Sequence, residues 1–140
     1  MLSVLNENMI TRKRKSQAAI SSVSDLMKYV EGLKAKGLTR CDFIVENGRT
    51  MLYGMSGYTG LNDGSYDDAV QVAQATSVSK LKMAFMNFRT GQNNFREFRR
   101  RLAEAGVRNW VMNLKEKTCV FYDYFGIRML DDTMSQSRRS

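Results

Sequence analysis

The stretch that decides the fold is residues 106–126, GVRNWVMNLKEKTCVFYDYFG. Shifted back by 69 residues, it aligns without a gap with residues 37–57, GLTRCDFIVENGRTMLYGMSG. Both copies begin and end with glycine, and both alternate apolar and polar residues on either side of a polar turn, which is typical of a β-hairpin. The repeat therefore predicts two related hairpins.

A helical pattern precedes each hairpin at the same spacing. Residues 21–36 and 95–105 are predicted helices, and residues 77–89 form a further one that is rich in Phe and Met. These patterns predict an α+β domain with an antiparallel sheet from two duplicated helix-hairpin units, and with the helices packed on the sheet. The 69-residue shift superposes their apolar positions: Leu26 on Phe95, Tyr29 on Phe98 and Leu33 on Leu102.

The Asn47-Gly48 pair predicts a two-residue type I′ turn in the first hairpin, because both central residues of that turn need positive φ. Phe43 is then expected to face Leu52. The alternation gives an inner face for the core, with these residues in the two hairpins: Cys41, Phe43, Val45, Leu52, Trp110, Met112, Leu114 and Phe121.

The rest of the chain is predicted from weaker patterns. Residues 54–64 hold four glycines and are predicted to be a loop, residues 66–73 a third strand and residues 126–130 the last strand. The domain is predicted to span residues 21–130. Residues 1–20 are expected to form a disordered basic tail, and residues 131–140 a disordered polar tail.

The net charge of +8 is concentrated in two places, the N-terminal segment and residues 86–117, where eight basic residues stand against three acidic ones. Basic strips bind phosphate or carboxylate groups, so this distribution defines an anion- or nucleic-acid-binding alternative. A solvated helix face explains the same charges without a ligand. The candidate residues are Arg96, Arg99, Arg100, Lys115, Lys117, Arg12, Lys13, Arg14 and Lys15.

Several classes of chemistry have no matching residues. The chain has no histidine, and its two cysteines, Cys41 and Cys119, are not in a metal-binding spacing. We therefore expect no metal, no cofactor and no catalytic residues, and an enzyme would have to use tyrosines and carboxylates such as Asp42 and Asp123. No apolar run is long enough to cross a membrane, which predicts a cytoplasmic protein that does not bind membranes.

The outer face of the predicted sheet is the candidate binding surface. It combines Tyr53 and its repeat partner Tyr122 with Asp42, Ile44 and Val111, and is too apolar to be a simple solvent-facing surface. An exposed apolar patch usually has a partner, so we expect a protein or a small ligand to bind here. The prediction depends on the helix at residues 77–89, because that helix would remove the surface if it covered this face.

A set of short motifs resembles a known family. The motifs are Gly37-Leu38-Thr39-Arg40, Asn47-Gly48-Arg49-Thr50, Tyr53-Gly54, Gly91 followed by Phe95, Ala105-Gly106-Val107 leading to Trp110-Val111-Met112, Thr118-Cys119, Tyr122-Asp123 and Gly126. Over residues 21–131 the chain resembles the YbcV-like bacterial and prophage family of unknown function, often labelled phage envelope protein. The resemblance implies no known reaction and a prophage or mobile-element setting, in which a small basic protein without a cofactor acts by binding.

Overall fold

The computed structural model describes residues 20–62 and 69–134. Their elements are α1 (Val23–Ala35), β1 (Leu38–Ile44), β2 (Thr50–Gly54), β3 (Gly57–Asn62), α2 (Val78–Arg89), α3 (Phe95–Glu104), β4 (Val107–Asn113), β5 (Thr118–Asp123) and β6 (Arg128–Thr133). The strands form one antiparallel sheet in the order β3-β2-β1-β4-β5-β6, so the predicted α+β class is confirmed.

The three helices start where the sequence supplies an N-cap side chain. Ser22 and Asp25 form a capping box at α1, Ser77 caps α2 and Asn94 caps α3. After α1 and α3 the chain turns on Gly37 and Gly106, whose φ angles are +88° and +87°. The predicted helices are therefore confirmed, with small shifts of their bounds.

The duplication is preserved in the backbone. A shift of 69 residues carries β1 onto β4, and the β-bulge between Leu38 and Arg40 recurs between Val107 and Asn109. The central strands pair so that Asp42 faces its own repeat partner, Val111. A pseudo-twofold axis therefore passes between these two residues and relates one half of the sheet to the other.

One core joins both repeats and all three helices on the inner face of the sheet. Across the central seam Phe43 stacks on Trp110, with ring centroids 4.2 Å apart. From the helix side, Phe85 of α2 contacts Phe121 and Phe98 of α3 contacts Trp110, at 5.0 and 5.6 Å between centroids. The helix α2 thus packs on the inner face and not on the outer face.

Two strand predictions are wrong. The register of the first hairpin is shifted by two residues, because Phe43 faces Thr50 and not Leu52. A shift of two residues keeps each side chain on the same face of the sheet. The predicted assignment of residues to the inner and outer faces is therefore unaffected. The third strand lies at Gly57–Asn62, inside the predicted loop, and the described residues 69–73 of the predicted strand 66–73 have no strand structure.

The described residues include structured positions just outside the predicted limits of the domain, 21–130. Ile20 is buried in the core, and the last strand continues to Thr133, followed by the buried Met134. Both residues add apolar contacts that the polar flanking sequence did not reveal. The basic cluster Arg12, Lys13, Arg14 and Lys15 lies outside the described residues.

Candidate binding face

The five candidate residues lie together on the outer face of the four central strands. Asp42 and Val111 face each other at the pseudo-twofold axis, and Ile44 faces Asn109, which in turn faces Tyr122. Tyr53 lies on the other side of the axis, opposite Arg40. All five are half-buried. The aromatic contacts of α2 and α3 with the sheet lie on the opposite, inner face.

The polar centre of the face is a hydrogen-bonded pair between the two repeats. Asn109 Nδ2 donates to Asp42 Oδ1 at 2.8 Å, and Arg108 Nε donates to Asn109 Oδ1 at 3.1 Å. Burial raises the pKa of Asp42, while the bond from Asn109 and the charges of Arg40 and Arg108 act in the opposite direction. A half-buried carboxyl group fixed in this way offers a directed hydrogen-bonding site among apolar neighbours.

The two tyrosines of the face have different surroundings. The Arg40 guanidinium lies 4.0 Å from the centroid of the Tyr53 ring, and Tyr58 packs edge-on against the same ring. At Tyr122 the repeat equivalent of Arg40 is Asn109, whose amide is turned to Asp42. Sequence reasoning missed Arg40 and Asn109, because the predicted register of the first hairpin places Asp42, and not Arg40, opposite Tyr53.

An open groove continues the face beyond the end of β1. The segment after residue 68 forms one wall, anchored by the Val70 amide, which donates to the Glu46 carbonyl oxygen at 3.0 Å. The groove is mixed in charge and polarity, so it favours no single ligand class. Its lining includes Ile44, Glu46, Val70, Lys80, Glu104, Arg108 and Tyr124.

The predicted basic strip is largely engaged within the protein. Arg99 donates to the carbonyl oxygens of Val45 and Glu46, at 2.7 and 3.0 Å. Arg100 pairs with Glu97 at 3.6 Å, and Lys117 pairs with Glu31 at 2.7 Å. Among the remaining candidates, Arg96 also interacts within the protein and Lys115 is exposed. The helix therefore presents less unpaired positive charge than its sequence suggests.

The two carboxylates named as enzyme candidates, Asp42 and Asp123, lie on opposite faces of the sheet, and the described residues show no metal centre. They contain no group of acidic or cysteine side chains able to hold a metal ion. Asp42 lies on the outer face, whereas Asp123 lies on the inner side and caps its own turn by accepting the amides of Phe125 and Ile127. Burial raises the pKa of both Cys41 and Cys119, which keeps these thiols protonated.

The described residues define an internally duplicated α+β domain whose helices pack on one face of the sheet. The chain belongs to the family described as protein of unknown function (DUF1398), whose model matches residues 14–132. No curated protein matches it. In the part of the chain that the structure describes, none of the helices has the length and apolar character needed to cross a bilayer.

Proposed function

We propose that this protein is a non-catalytic binding domain whose outer sheet face receives another protein. The main support is the placement of all three described helices on one face of the sheet, which leaves Tyr53, Val111 and Tyr122 half-exposed on the other. Small-molecule sites are usually concave, whereas these half-exposed side chains lie along neighbouring strands of one sheet face. A small ligand would instead favour the groove beside Ile44.

The chemistry of the face fits a partner that combines apolar and hydrogen-bonding groups. Val111 and Val120 face each other as an apolar pair, next to the Asp42-Asn109 hydrogen bond. Interface centres typically combine aromatic side chains with a few satisfied polar groups, and they are surrounded by charge. Here Arg40, on Tyr53, supplies a charge of this kind.

The proposal is tested with Val111→Lys, which places a charge at the centre of the face. Wild type, this variant and a matched control, Met83→Lys on the exposed surface of α2, are used for affinity capture from the source organism, with quantitative mass spectrometry. We expect proteins that wild type and the control enrich to be depleted by at least about tenfold with Val111→Lys. Equal enrichment by all three proteins would reject the face as the site.

Nucleic acid is the second candidate, supported by the net charge of +8 and opposed by the internal pairing of Arg99, Arg100 and Lys117. Binding to mixed-sequence DNA at low and high salt distinguishes it, because phosphate contacts release counterions and weaken steeply with salt. Absence of binding at low salt would remove this candidate.

The biological setting is part of the proposal. The resemblance to the YbcV-like family supports a prophage or mobile-element context, and the sequence composition supports a cytoplasmic location. Integrase or capsid genes beside this gene in its chromosome would support that context, and an isolated metabolic operon would contradict it.

A further inference from the structure

The two edges of the sheet differ although they are repeat partners. At β6 the strand carries Arg128, Asp131 and Asp132, and Arg128 pairs with Asp131 at 3.3 Å. Arg89 of α2 reaches the same edge strand, where it contacts Asp132 and donates to the Thr133 carbonyl oxygen at 2.9 Å. The β6 edge is therefore both charged and partly covered.

The β3 edge has none of these features in its sequence. Its six residues, GYTGLN, include neither a charged side chain nor a proline. A sheet edge presents unpaired N–H and C=O groups, and proteins commonly protect such edges with charge, proline or a covering side chain. β3 pairs with β2 on one side, and its other side is the end of the described sheet. In the described ranges no strand pairs with this second side, so it can take a further strand.

We infer that β3 pairs antiparallel with β3 of a second copy of this chain, which makes one continuous sheet across two protomers. Pairing of β3 with β6 of the next copy would continue into an open filament, and the charges on β6 oppose it. When β3 pairs with β3 of a second copy, the β3 edges of both copies are used, so the assembly ends as a dimer. The fold already contains such a seam, since β1 and β4 join the two repeats antiparallel about Asp42 and Val111.

The net charge of the chain is compatible with the proposed β3–β3 contact, because that contact lies at the edge of the sheet. The net charge of +8 repels a second copy in general, but β3 adds no charged side chain of its own to the contact. Tyr58, which is 56% exposed at this edge, would gain cover from the second copy. The centre of the outer face, at Asp42 and Val111, lies two or more strands away from β3 and stays free in such a dimer, so the two proposals can fail separately.

The first test is Gly60→Lys, analysed by sedimentation over a range of concentrations. A Cβ atom at Gly60 meets nothing within 4 Å and the residue has no positive φ, so lysine fits the monomer while it charges the edge. Gly32→Lys on α1 adds the same charge at an equally open position and is the control. We expect wild type and the control to dimerise, and Gly60→Lys to dimerise at least about tenfold more weakly. A wild-type protein that stays monomeric at its highest soluble concentration would overturn the inference.

The second test remains informative if the lysine variant folds poorly. Gly60→Cys on β3 and Arg128→Cys on β6 are oxidised and compared on a non-reducing gel. The native thiols do not compete, because Cys41 and Cys119 are both buried. Cross-linked dimers from Gly60→Cys alone are expected, and equal cross-linking through Arg128→Cys would overturn the assignment of the edge.

Discussion

Gly37 and Gly106 have the same backbone conformation in different surroundings. Their φ angles are +88° and +87°, but a Cβ atom at Gly106 would lie 2.8 Å from the Ala75 carbonyl oxygen, whereas at Gly37 it would meet nothing within 4 Å. The segment before α2 therefore passes directly over the second turn. At the first turn only the left-handed conformation requires glycine.

Substitution of glycine by alanine is expected to destabilise the protein by different amounts at Gly37 and at Gly106. Gly37→Ala should lower the free energy of unfolding by about 1–2 kcal/mol, the penalty of a left-handed L-residue. Gly106→Ala should cost clearly more, because the carbonyl of Ala75 must also move. Urea unfolding of both variants measures the two losses in free energy of unfolding. Equal losses would show that the segment before α2 moves away from residue 106 without a measurable energetic penalty.

Asp42 predicts a dependence of stability on pH. Burial raises its pKa above the ordinary 3.8, so the folded protein holds this proton more tightly than the unfolded chain. Its contribution to stability is therefore greatest in acid and falls as pH rises through the raised pKa. Asp42→Asn keeps an oxygen acceptor for Asn109, so the melting temperature of the variant should exceed that of wild type by an amount that grows as pH rises from 3.8 through the raised pKa.

Asp25 is a control for this prediction, because its pKa is shifted in the opposite direction from that of Asp42. The amides of Ser21 and Ser22 lower its pKa, so its contribution is present above the ordinary value and is lost as pH falls. Asp25→Asn should therefore be less stable than wild type at neutral pH, with a difference that shrinks in acid. The same trend for both variants would contradict the assignment of the Asp42 shift to burial.

Arg99 connects two elements that are far apart in sequence. Its guanidinium binds the carbonyl oxygens of Val45 and Glu46 and lies against Gly48, so that α3 holds the loop between β1 and β2. The loop is thereby fixed from outside the hairpin. This role also removes the side chain from the predicted anion-binding strip.

Truncation of this side chain should be costly for a residue at the surface. Arg99→Ala is expected to lower the free energy of unfolding by about 1.5–3 kcal/mol, because charged hydrogen bonds to two carbonyls are lost. Arg100→Ala, which loses only an exposed pair with Glu97, should stay within about 0.5 kcal/mol. Chemical denaturation measures both, and similar values would show that the loop does not need Arg99.

At the scale of elements, the sequence predicted the helices and the faces but not the register of the first hairpin. The Asn47-Gly48 rule assumes that the turn decides the pairing. Here Val45 N donates to the Arg108 carbonyl oxygen of β4, and Arg99 holds the loop, so tertiary contacts override the local preference. Only Gly48, and not Asn47, has a positive φ.

The internal repeat could have located β3, but the glycine content of this segment led to the prediction of a loop. Its two glycines weaken a strand pattern. Yet the predicted last strand, shifted back by 69 residues, falls on residues 57–61, inside the observed Gly57–Asn62. The internal duplication was a stronger predictor here than the local sequence.

The whole molecule is expected to unfold as one unit, because the cores of the two repeats interlock. Phe43 stacks on Trp110 across the seam, and α2 packs on the second repeat through Phe85 and Phe121. Trp110 fluorescence and far-ultraviolet circular dichroism should therefore give coincident transitions. Phe43→Ala should cost about 3–5 kcal/mol without separating them. Two resolved transitions would show that the repeats are independent.

The location of the candidate face was predictable from alternation, whereas its accessibility was not. Both faces of the sheet carry apolar residues, so the sequence alone could not decide which one α2 covers. The structure decides it through the contacts of Phe85 with Phe98 and Phe121. The polar centre depends on Asn109 reaching Asp42 from the other repeat, a long-range contact that no local pattern encodes.

The pseudo-twofold axis between Asp42 and Val111 also bears on the history of the molecule. Two identical half-length chains meeting along this seam would have formed a symmetric pair, and fusion would have freed each half to drift. Positions at which the two repeats now carry different residues are then the positions at which one repeat acquired a separate role. Asp42 against Val111 and Arg40 against Asn109 are two such sites, and both lie on the outer face.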